Sequence, residues 1–188
     1  MIKDYIVKNR SYRRFIQNHK IDTLLMEELI DCARLSPSAG NQQRLRFKIV
    51  NTKEENEKVF STLSWAGYLQ DWNGPREGEK PSAYVIILTT ENDSTKVDCD
   101  AGIACQSILL GAVGENLRGC IFGSVDKAKL REEISIPDDL ELVYVIALGM
   151  PQERVIINKV KNNDIRYWRD EKGVHHVPKL SLEDIIIK

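Results

Sequence analysis

The hydrophobic pattern of the chain predicts helices and strands in alternation. Apolar residues recur at helical spacing from Asp22, whose carboxylate can cap the first turn, to about Leu35. Residues 47–50 (FKIV) alternate as a strand does, and residues 54–63 have the pattern of a surface helix. Residues 83–90 (AYVIILTT) are almost all apolar or β-branched, which predicts a central strand covered on both faces.

The longest predicted helix spans residues 98–116 and is apolar nearly all round, which is typical of a buried helix. It contains Gly102, Gly111 and Gly114, and glycine allows two backbones to approach each other closely. We therefore expect this helix to make either a tight crossing inside the core or a contact between two subunits.

The second half of the chain continues the alternation without a linker or an internal repeat. Residues 120–125 form a predicted strand and turn, and Asp126 can cap the helix that comes next. Residues 142–148 predict another central strand, and residues 165–179 predict a hairpin. The chain is therefore interpreted as one domain over residues 1–188.

A polar loop at residues 37–43 (PSAGNQQ) separates the first amphipathic helix from the first strand. Its serine, asparagine and glutamine side chains can both donate and accept hydrogen bonds, and none of them ionises near neutral pH. Such a loop suits a ligand edge with alternating carbonyl and N–H groups, as in the pyrimidine end of a flavin or a nucleobase. The alternative is an ordinary polar connection between a helix and a strand.

An arginine cluster lies near the N-terminus. Residues 9–15 (NRSYRRF) place three guanidinium groups and the Ser11 hydroxyl close together in a chain that is otherwise nearly neutral. Because arginine presents a fixed fork of donors that matches phosphate oxygens, the cluster predicts a site for a phosphomonoester. The alternative is a solvated basic turn.

The segment from residue 65 to residue 81 is rich in residues that break helices and strands, and it contains Trp65, Tyr68 and Trp72. A loop of this length inside a domain often serves as a lid over a ligand. The alternative is a surface loop with buried aromatic anchors, since large aromatic side chains are usually buried.

The composition excludes some classes of partner. The chain has 188 residues, is 42% hydrophobic and has a net charge of -1, so it can bury a full core, and its charge favours neither a nucleic acid nor a membrane surface. The sequence carries no apolar leader and no apolar run of membrane-spanning length, so we expect a cytoplasmic protein. The four cysteines lack a CxxC pair, which favours buried, reduced thiols.

Several common motifs are absent from the sequence. It has no GxGxxG after a strand, no phosphate loop of the GxxxxGK(S/T) type and no GxSxG nucleophile elbow. His175 and His176 would face opposite sides of a strand, and His19 has no ligand-like spacing to them, so we expect no metal site. A nucleotide-like ligand would have to be held by other residues.

Five short motifs, in order, resemble those of the FMN-dependent nitroreductase family over essentially the whole chain. They are an RSxRxF element at 10–15, a PSxxNxQ loop at 37–43, a buried helix and strand at 102–112 and 119–123, an LGxP ending at 147–151 and a PK element at 177–179. Each motif alone is weak evidence. Their common order and spacing carry the resemblance.

The resemblance implies an α+β sandwich, in which helices flank a central mixed sheet, assembled as an intertwined homodimer with two FMN sites at the interface. The residues that it assigns to FMN are Arg10, Ser11, Arg13, Pro37, Ser38, Asn41, Gln43, Gly123, Ser124 and Lys179. In this scheme the arginine cluster contacts the phosphate, the ribityl chain and the pyrimidine edge, and the lysine reaches the phosphate. The polar loop comes from the partner subunit, and the turn after the strand directs backbone N–H groups at the flavin N5 and O4.

One position departs from the family pattern. Many members carry a second basic residue two positions beyond the lysine, where this chain has Ser181. The phosphate contact at that position is therefore open, and Arg166 or Arg169 would have to replace it.

The resemblance also implies a ping-pong oxidoreductase, in which NADH or NADPH delivers a hydride to flavin N5 and a small acceptor such as a nitroaromatic or a quinone then takes it. No side chain acts as acid, base or nucleophile in this scheme, and a guanidinium such as Arg13 stabilises the negative charge of the reduced flavin. The alternatives are a flavin-binding protein without turnover, used as a sensor or a store, and a specialised branch of the family that destroys flavin or dehalogenates its substrate.

Overall fold

Six α-helices and two β-sheets make up the fold in the computed structural model, which describes residues 1–90 and 94–187. The helices are α1 (Ile2–Lys8), α2 (Thr23–Arg34), α3 (Lys53–Phe60), α4 (Ser94–Gly114), α5 (Lys127–Ile134) and α6 (Leu182–Ile185). The strands are β1 (Leu45–Val50), β2 (Ala83–Thr89), β3 (Arg118–Phe122), β4 (Glu141–Gly149), β5 (Val155–Lys159), β6 (Trp168–Arg169) and β7 (His175–Lys179).

The central sheet has four strands in the order β1-β2-β4-β3. All residues of β2 are buried, and β2 and β4 are the two inner strands, which confirms both predictions of a central strand. In the antiparallel register Val85 faces Ile146 across the ladder, and Tyr84 faces Ala147. Because successive side chains point to opposite faces, β2 supplies apolar residues to both sides of the sheet.

Helices cover both faces of this sheet. On one face α2 and α4 pack against β2 and β4 through a cluster that includes Met26, Leu29, Ala101, Ile108, Val85 and Ile146. On the other face α3 and α5 bury a second cluster that includes Val59, Leu130, Ile134, Tyr84, Ile86 and Val145. The sheet is therefore the middle of three layers, which confirms the predicted α+β sandwich.

Strand direction differs from the expected mixed sheet. Each of the four central strands runs antiparallel to the strand or strands beside it. Within residues 1–90 and 94–187, parallel pairing occurs between β5 and β7 of the second sheet and at one bridge between Ser11 and Gly119, on the open edge of β3.

Two aspartates begin helices as the sequence predicts. Asp22 caps α2 by accepting a hydrogen bond from the backbone N–H of Leu25 at 2.8 Å. Asp126 caps α5 in the same way through the N–H of Lys129 at 3.1 Å. The caps satisfy backbone donors that have no partner inside the helix.

The long helix α4 packs against both α2 and the central sheet. A Cβ atom added to Gly111 would lie 3.1 Å from the Cys32 Sγ, so this glycine allows the tight crossing of α4 over α2. A Cβ on Gly102 would meet no atom within 4 Å, so the crossing does not explain that glycine. Residues 96–114 are long and apolar enough to cross a membrane by composition alone, but half of this stretch is buried against the rest of the domain, as in the core helix of a globular protein.

All four cysteines are free thiols. Cys105 and Cys120 are buried, as expected, and burial raises the pKa of Cys105 to about 12. The expectation of a buried thiol is wrong for Cys99, which is exposed because it lies on the outer side of α4.

The second sheet contains the predicted C-terminal hairpin. Strands β6 and β7 pair antiparallel, and β5 adds to the far side of β7 in parallel. The turn between β6 and β7 includes Gly173 at φ +77°, a left-handed conformation that glycine adopts without strain.

Gly119 is the glycine whose replacement should damage the fold most directly. A Cβ at this position would lie 2.4 Å from the carbonyl oxygen of Ala147, which the β-ladder holds in place. We expect Gly119→Ala to lower the free energy of unfolding by about 2 kcal/mol or more, as overpacked sites do. Gly67→Ala is the matched control, because its Cβ would meet nothing within 4 Å. Urea unfolding measures both, and equal stability of the two variants would contradict the proposed close packing at β3.

Candidate functional site

The arginine cluster is held as an extended segment along the open edge of β3. Ser11 forms its bridge with Gly119, and the N–H of Tyr12 donates to the Gly119 carbonyl at 3.0 Å. At the end of the segment, the fully buried Phe15 packs over Gly149 and pairs with Pro151. Anchoring at both ends therefore fixes the backbone from which the arginines project.

Arg13 is buried and lies against the hairpin of the second sheet. Its Nη1 donates to the His175 Nε2 at 3.2 Å and to the Ser11 carbonyl at 3.3 Å, and its guanidinium lies 4.7 Å from the centre of the Tyr167 ring. Because a guanidinium has no acceptor, the His175 Nε2 must be the unprotonated nitrogen. The ring therefore carries its proton on Nδ1.

His175 is a buried, neutral histidine. Its burial, followed by the charges of Arg13 and Arg169, lowers its pKa to about 4. Its Nδ1 is buried and has no hydrogen-bond partner within the described chain. From the sequence, His175 was considered only as a metal ligand, and its contact with Arg13 was missed because 162 residues separate the two side chains.

Glu153 holds the backbone of the cluster. Its Oε1 accepts hydrogen bonds from the N–H groups of Arg13 at 2.5 Å and Arg14 at 3.1 Å, and its Oε2 accepts from the Arg169 Nη2 at 2.9 Å. The Glu153 carboxylate is only 2% exposed, so these hydrogen bonds are shielded from water. Nothing in the local sequence indicates this role.

The guanidinium of Arg10 lacks a carboxylate partner among the described residues, as does that of Arg13, whereas Arg14 pairs with Glu79 at 3.6 Å. The Arg10 Nη2 donates to the Ile6 carbonyl at 2.7 Å, whereas the Arg10 Nε is buried and has no partner among the described residues. Partial burial lowers the pKa of this guanidinium. A half-buried cation with an unused donor is suited to an external anion such as a phosphate.

The basic residues near the C-terminus are arranged differently from the expectation. Arg169 forms an ion pair with Glu153, and Arg166 forms an exposed ion pair with Asp164 at 2.6 Å. Their geometry therefore does not favour either arginine as the replacement for the second basic residue of the family. Instead, the parallel register places Lys159 of β5 directly beside Lys179 of β7.

The polar loop has an unusual backbone. Gly40, Asn41 and Gln43 all lie in the left-handed region, with φ values of 60°, 53° and 46°. Two of the three are not glycine, and strained residues of this kind persist only where the surroundings hold them. Asp100 of α4 supplies that hold, because its Oδ1 accepts from the Ala39 N–H at 2.8 Å.

The loop presents its amides outward. Asn41 and Gln43 are exposed, while the hydroxyl of Ser38 turns inward to accept from the Gln43 N–H at 3.1 Å. Ser38 and its neighbour Pro37 also border a cavity of about 270 Å³ that reaches the apolar side chain of Phe47. The loop can therefore contribute donors and acceptors to a ligand that approaches from outside this chain.

The turn after β3 is exposed at the same edge as the arginine cluster. The Ser124 carbonyl accepts from the Ser64 N–H at 3.0 Å, which fixes the turn, and Gly123 and Ser124 themselves remain accessible. Gly123 follows the bridged Gly119 by four positions along the chain, which corresponds to about 13 Å along the strand.

The predicted site residues fall into two groups within one chain. The first group lies on the β3 side of the sheet and consists of the arginine cluster, the 123–124 turn and strand β7. Strand β7 belongs to it because its His175 contacts Arg13. The polar loop precedes β1 at the opposite edge, and with β2 and β4 in between the two edges are about 14 Å apart. One chain therefore brings only part of the predicted site together.

Two of the aromatic side chains in the 65–81 segment are anchors. Trp65 packs 4.6 Å from the Phe122 ring, and Trp72 lies 4.5 Å from the Arg169 guanidinium. Tyr68 is exposed and lies 4.9 Å from Tyr167, the ring that covers Arg13. A lid function of this segment stays a prediction, and Tyr68 is the residue placed to serve it.

The buried histidine predicts a specific pH dependence of stability. His175 has a pKa of about 4 when folded and about 6.5 when unfolded, so the unfolded chain binds the proton first as the pH falls. The stabilisation is complete above pH 6.5 and is lost towards pH 4. Between pH 7.5 and pH 5 we expect a loss of about 2 kcal/mol from this residue.

Urea unfolding at the two pH values tests this expectation with His175→Gln, which keeps an acceptor for Arg13 but does not titrate. The variant should lose about 2 kcal/mol less than the wild type between pH 7.5 and pH 5. Identical pH profiles for His175→Gln and the wild type would show that the ring does not titrate as described.

Known proteins match the chain in both sequence and fold. A protein of Archaeoglobus fulgidus, named as an NADH dehydrogenase/NAD(P)H nitroreductase, is 25% identical over 159 residues, which cover 79% of this chain and 84% of the relative. A nitroreductase family protein from Clostridium novyi NT superimposes with a TM-score of 0.69 at 19% identity, over 100% of this chain and 99% of that chain. An FMN-dependent nitroreductase from Clostridium difficile R20291 gives a TM-score of 0.63 at 19% identity, over 85% of this chain and 91% of that chain.

The family model of the nitroreductase family matches residues 6–150. This range contains the arginine cluster, the polar loop and the turn after β3, and it ends just after the last strand of the central sheet. The sequence resemblance, the sandwich fold and the family match therefore agree, and the chain belongs to the nitroreductase family.

Proposed function

We propose that this oxidoreductase binds FMN and uses it to pass a hydride from NADH or NADPH to a small acceptor such as a nitroaromatic or a quinone. The observation that carries the proposal is the half-buried Arg10, whose Nε has no partner among the described residues, in the same cluster as Arg13 and on the same sheet edge as the 123–124 turn. The names of the archaeal relative and of the clostridial FMN-dependent nitroreductase support the same chemistry.

The residues present fit FMN. Arg10 offers an unused, half-buried donor for the phosphate, and Lys179 offers an exposed ammonium group at the end of β7. Arg13 is held in one orientation by His175 and Ser11, so its charge is fixed before any ligand arrives. The exposed turn at residues 123–124 leaves backbone available to an electron-rich ring edge.

FMN bound at this site would supply the hydride chemistry, as flavins do in other oxidoreductases. The side chains bind and orient the cofactor and hold positive charge near it. Because His175 is neutral and Glu153 is shielded by Arg13 and Arg169, the described site presents no residue poised to transfer a proton. The proposed reaction needs none, since close and aligned contact between donor and acceptor is the main requirement.

We further propose that the complete site forms between two chains. The polar loop lies at the sheet edge opposite the arginine cluster, so a second copy would have to supply Ser38, Asn41 and Gln43. Exposed apolar side chains at both ends of the chain support an association of copies. They include Ile2, Tyr5, Ile6 and Val7 near the N-terminus and Leu182, Ile185, Ile186 and Ile187 near the C-terminus.

Anaerobic reduction tests the proposed activity. The purified protein should bind one FMN per chain, and its flavin absorbance should bleach within minutes after NADH or NADPH is added. Addition of a nitroaromatic or a quinone to the reduced protein should then restore the absorbance. A bound flavin that stays oxidised with both nicotinamides would contradict the proposed enzyme and favour a sensor or a store.

The second cation of the phosphate site gives a separate prediction. Many family members carry a second basic residue at the position of Ser181. Lys159 lies in register with Lys179, so we propose that Lys159 replaces that basic residue in this chain. Lys179→Met and Lys159→Met should each weaken FMN binding about fivefold to tenfold, as expected for the loss of one exposed charged contact. Fluorescence titration of FMN measures the affinity. Lys129→Met, on α5 and outside this cluster, is the control and should bind FMN as the wild type does. An unchanged affinity in Lys159→Met would remove that lysine from the site.

A further inference from the structure

A second cavity, of about 710 Å³, lies away from the residues assigned to FMN. It opens between residues 17–23, one side of helix α3 and the start of β2. None of the ten predicted FMN residues lines it. A ligand bound in this cavity would therefore not depend on the proposed oxidoreductase activity.

The first unusual feature of this cavity is the hydroxyl group of Tyr84. The Tyr84 side chain is 0% exposed, and its hydroxyl has no hydrogen-bond partner within the described residues. Burial raises the pKa of the phenol, so the group stays neutral and keeps both its donor and its acceptor capacity. Buried hydroxyl groups are normally satisfied, so an unsatisfied one at a cavity wall indicates a missing partner.

The second feature is the side-chain amide of Asn56, which lines the same cavity. Its Nδ2 donates to the Ser82 carbonyl at 2.7 Å, and this contact fixes which end of the amide is which. The Oδ1 is buried and has no partner among the described residues. The cavity therefore contains an unused acceptor in addition to the unused hydroxyl.

The charges around the cavity balance one another. Lys80 forms ion pairs with Glu57 at 2.7 Å and with Glu77 at 3.0 Å, and its Nζ lies 4.7 Å from the centre of the Phe60 ring. The remaining charged residues in the lining are Lys20, Lys53 and Asp22, so three lysines face three carboxylates. A charged ligand beside Lys80 would have to disrupt its two ion pairs, whereas a neutral one would not.

The geometry points to a binding site for a neutral, polyhydroxylated small molecule, such as a polyol or a free sugar. Because a hydroxyl group both accepts and donates, the hydroxyl groups of such a molecule can pair with the Tyr84 hydroxyl and with the Asn56 Oδ1. Further hydroxyl groups would meet the polar side chains of Asn51 and Thr52 at the rim.

Titration of the full-length protein with ribitol, followed by heteronuclear NMR, tests this site. The expected result is a saturable shift of the Asn56 side-chain amide and of neighbouring backbone resonances. Tyr84→Phe should weaken ribitol binding about fivefold, as expected for one lost hydrogen bond, while Tyr5→Phe on α1 should not change it. The probe 1,2-dimethoxyethane keeps the oxygen acceptors but has no O–H donor, and it should not bind.

A melting measurement keeps the test independent of folding defects. Because the Tyr84 hydroxyl has no partner in the described chain, Tyr84→Phe should melt at the temperature of the wild type or above it. Three results would overturn the proposal: no saturable shift with ribitol up to about 50 mM, equal ribitol binding by Tyr84→Phe, or equal binding of 1,2-dimethoxyethane. The first of these would leave ordered water as the occupant of the cavity.

Discussion

The arrangement of the candidate site depends on one buried carboxylate. Glu153 comes after the last strand of the central sheet and accepts hydrogen bonds from the backbone of Arg13 and Arg14 and from the side chain of Arg169. It thereby joins the N-terminal segment to the second sheet, and His175 completes the link by accepting from Arg13. Removing one member of a buried charged pair typically costs about 3–5 kcal/mol, because the other charge stays buried without compensation. The protein itself therefore holds the backbone at Arg13 and Arg14 and the charge of Arg13 in place.

The four-stranded sheet imposes the second constraint. Its two outer strands carry the two halves of the predicted site, and two buried strands keep them apart. Each half is stabilised separately: Glu153 and His175 hold the arginine cluster, and Asp100 holds the strained polar loop. Neither half can approach the other within one chain without unfolding the sheet. This separation is the reason for the proposal that a second copy of the chain supplies the other half.

Features determined by neighbouring residues were predictable from the sequence. The caps at Asp22 and Asp126, the buried strand β2 and the C-terminal hairpin all have local signals, and the structure confirms them. The contacts of Glu153 and His175 with the arginine cluster were not predictable, because about 140 and 162 residues of chain lie between the partners. The sequence alone also leaves Arg169 available as a phosphate ligand, whereas the fold pairs it with Glu153.

The most direct test of the shared site is a crossed heterodimer with two distinguishable tags. One chain carries Arg10→Met and Lys179→Met, and the other carries Ser38→Ala and Asn41→Ala, so that each homodimer has only damaged sites. If the site is shared, the heterodimer contains one site with both halves intact and should bind one FMN per dimer with wild-type affinity. If each chain forms its site alone, both sites of the heterodimer remain damaged. Failure to recover tight FMN binding in the purified heterodimer would contradict the shared site.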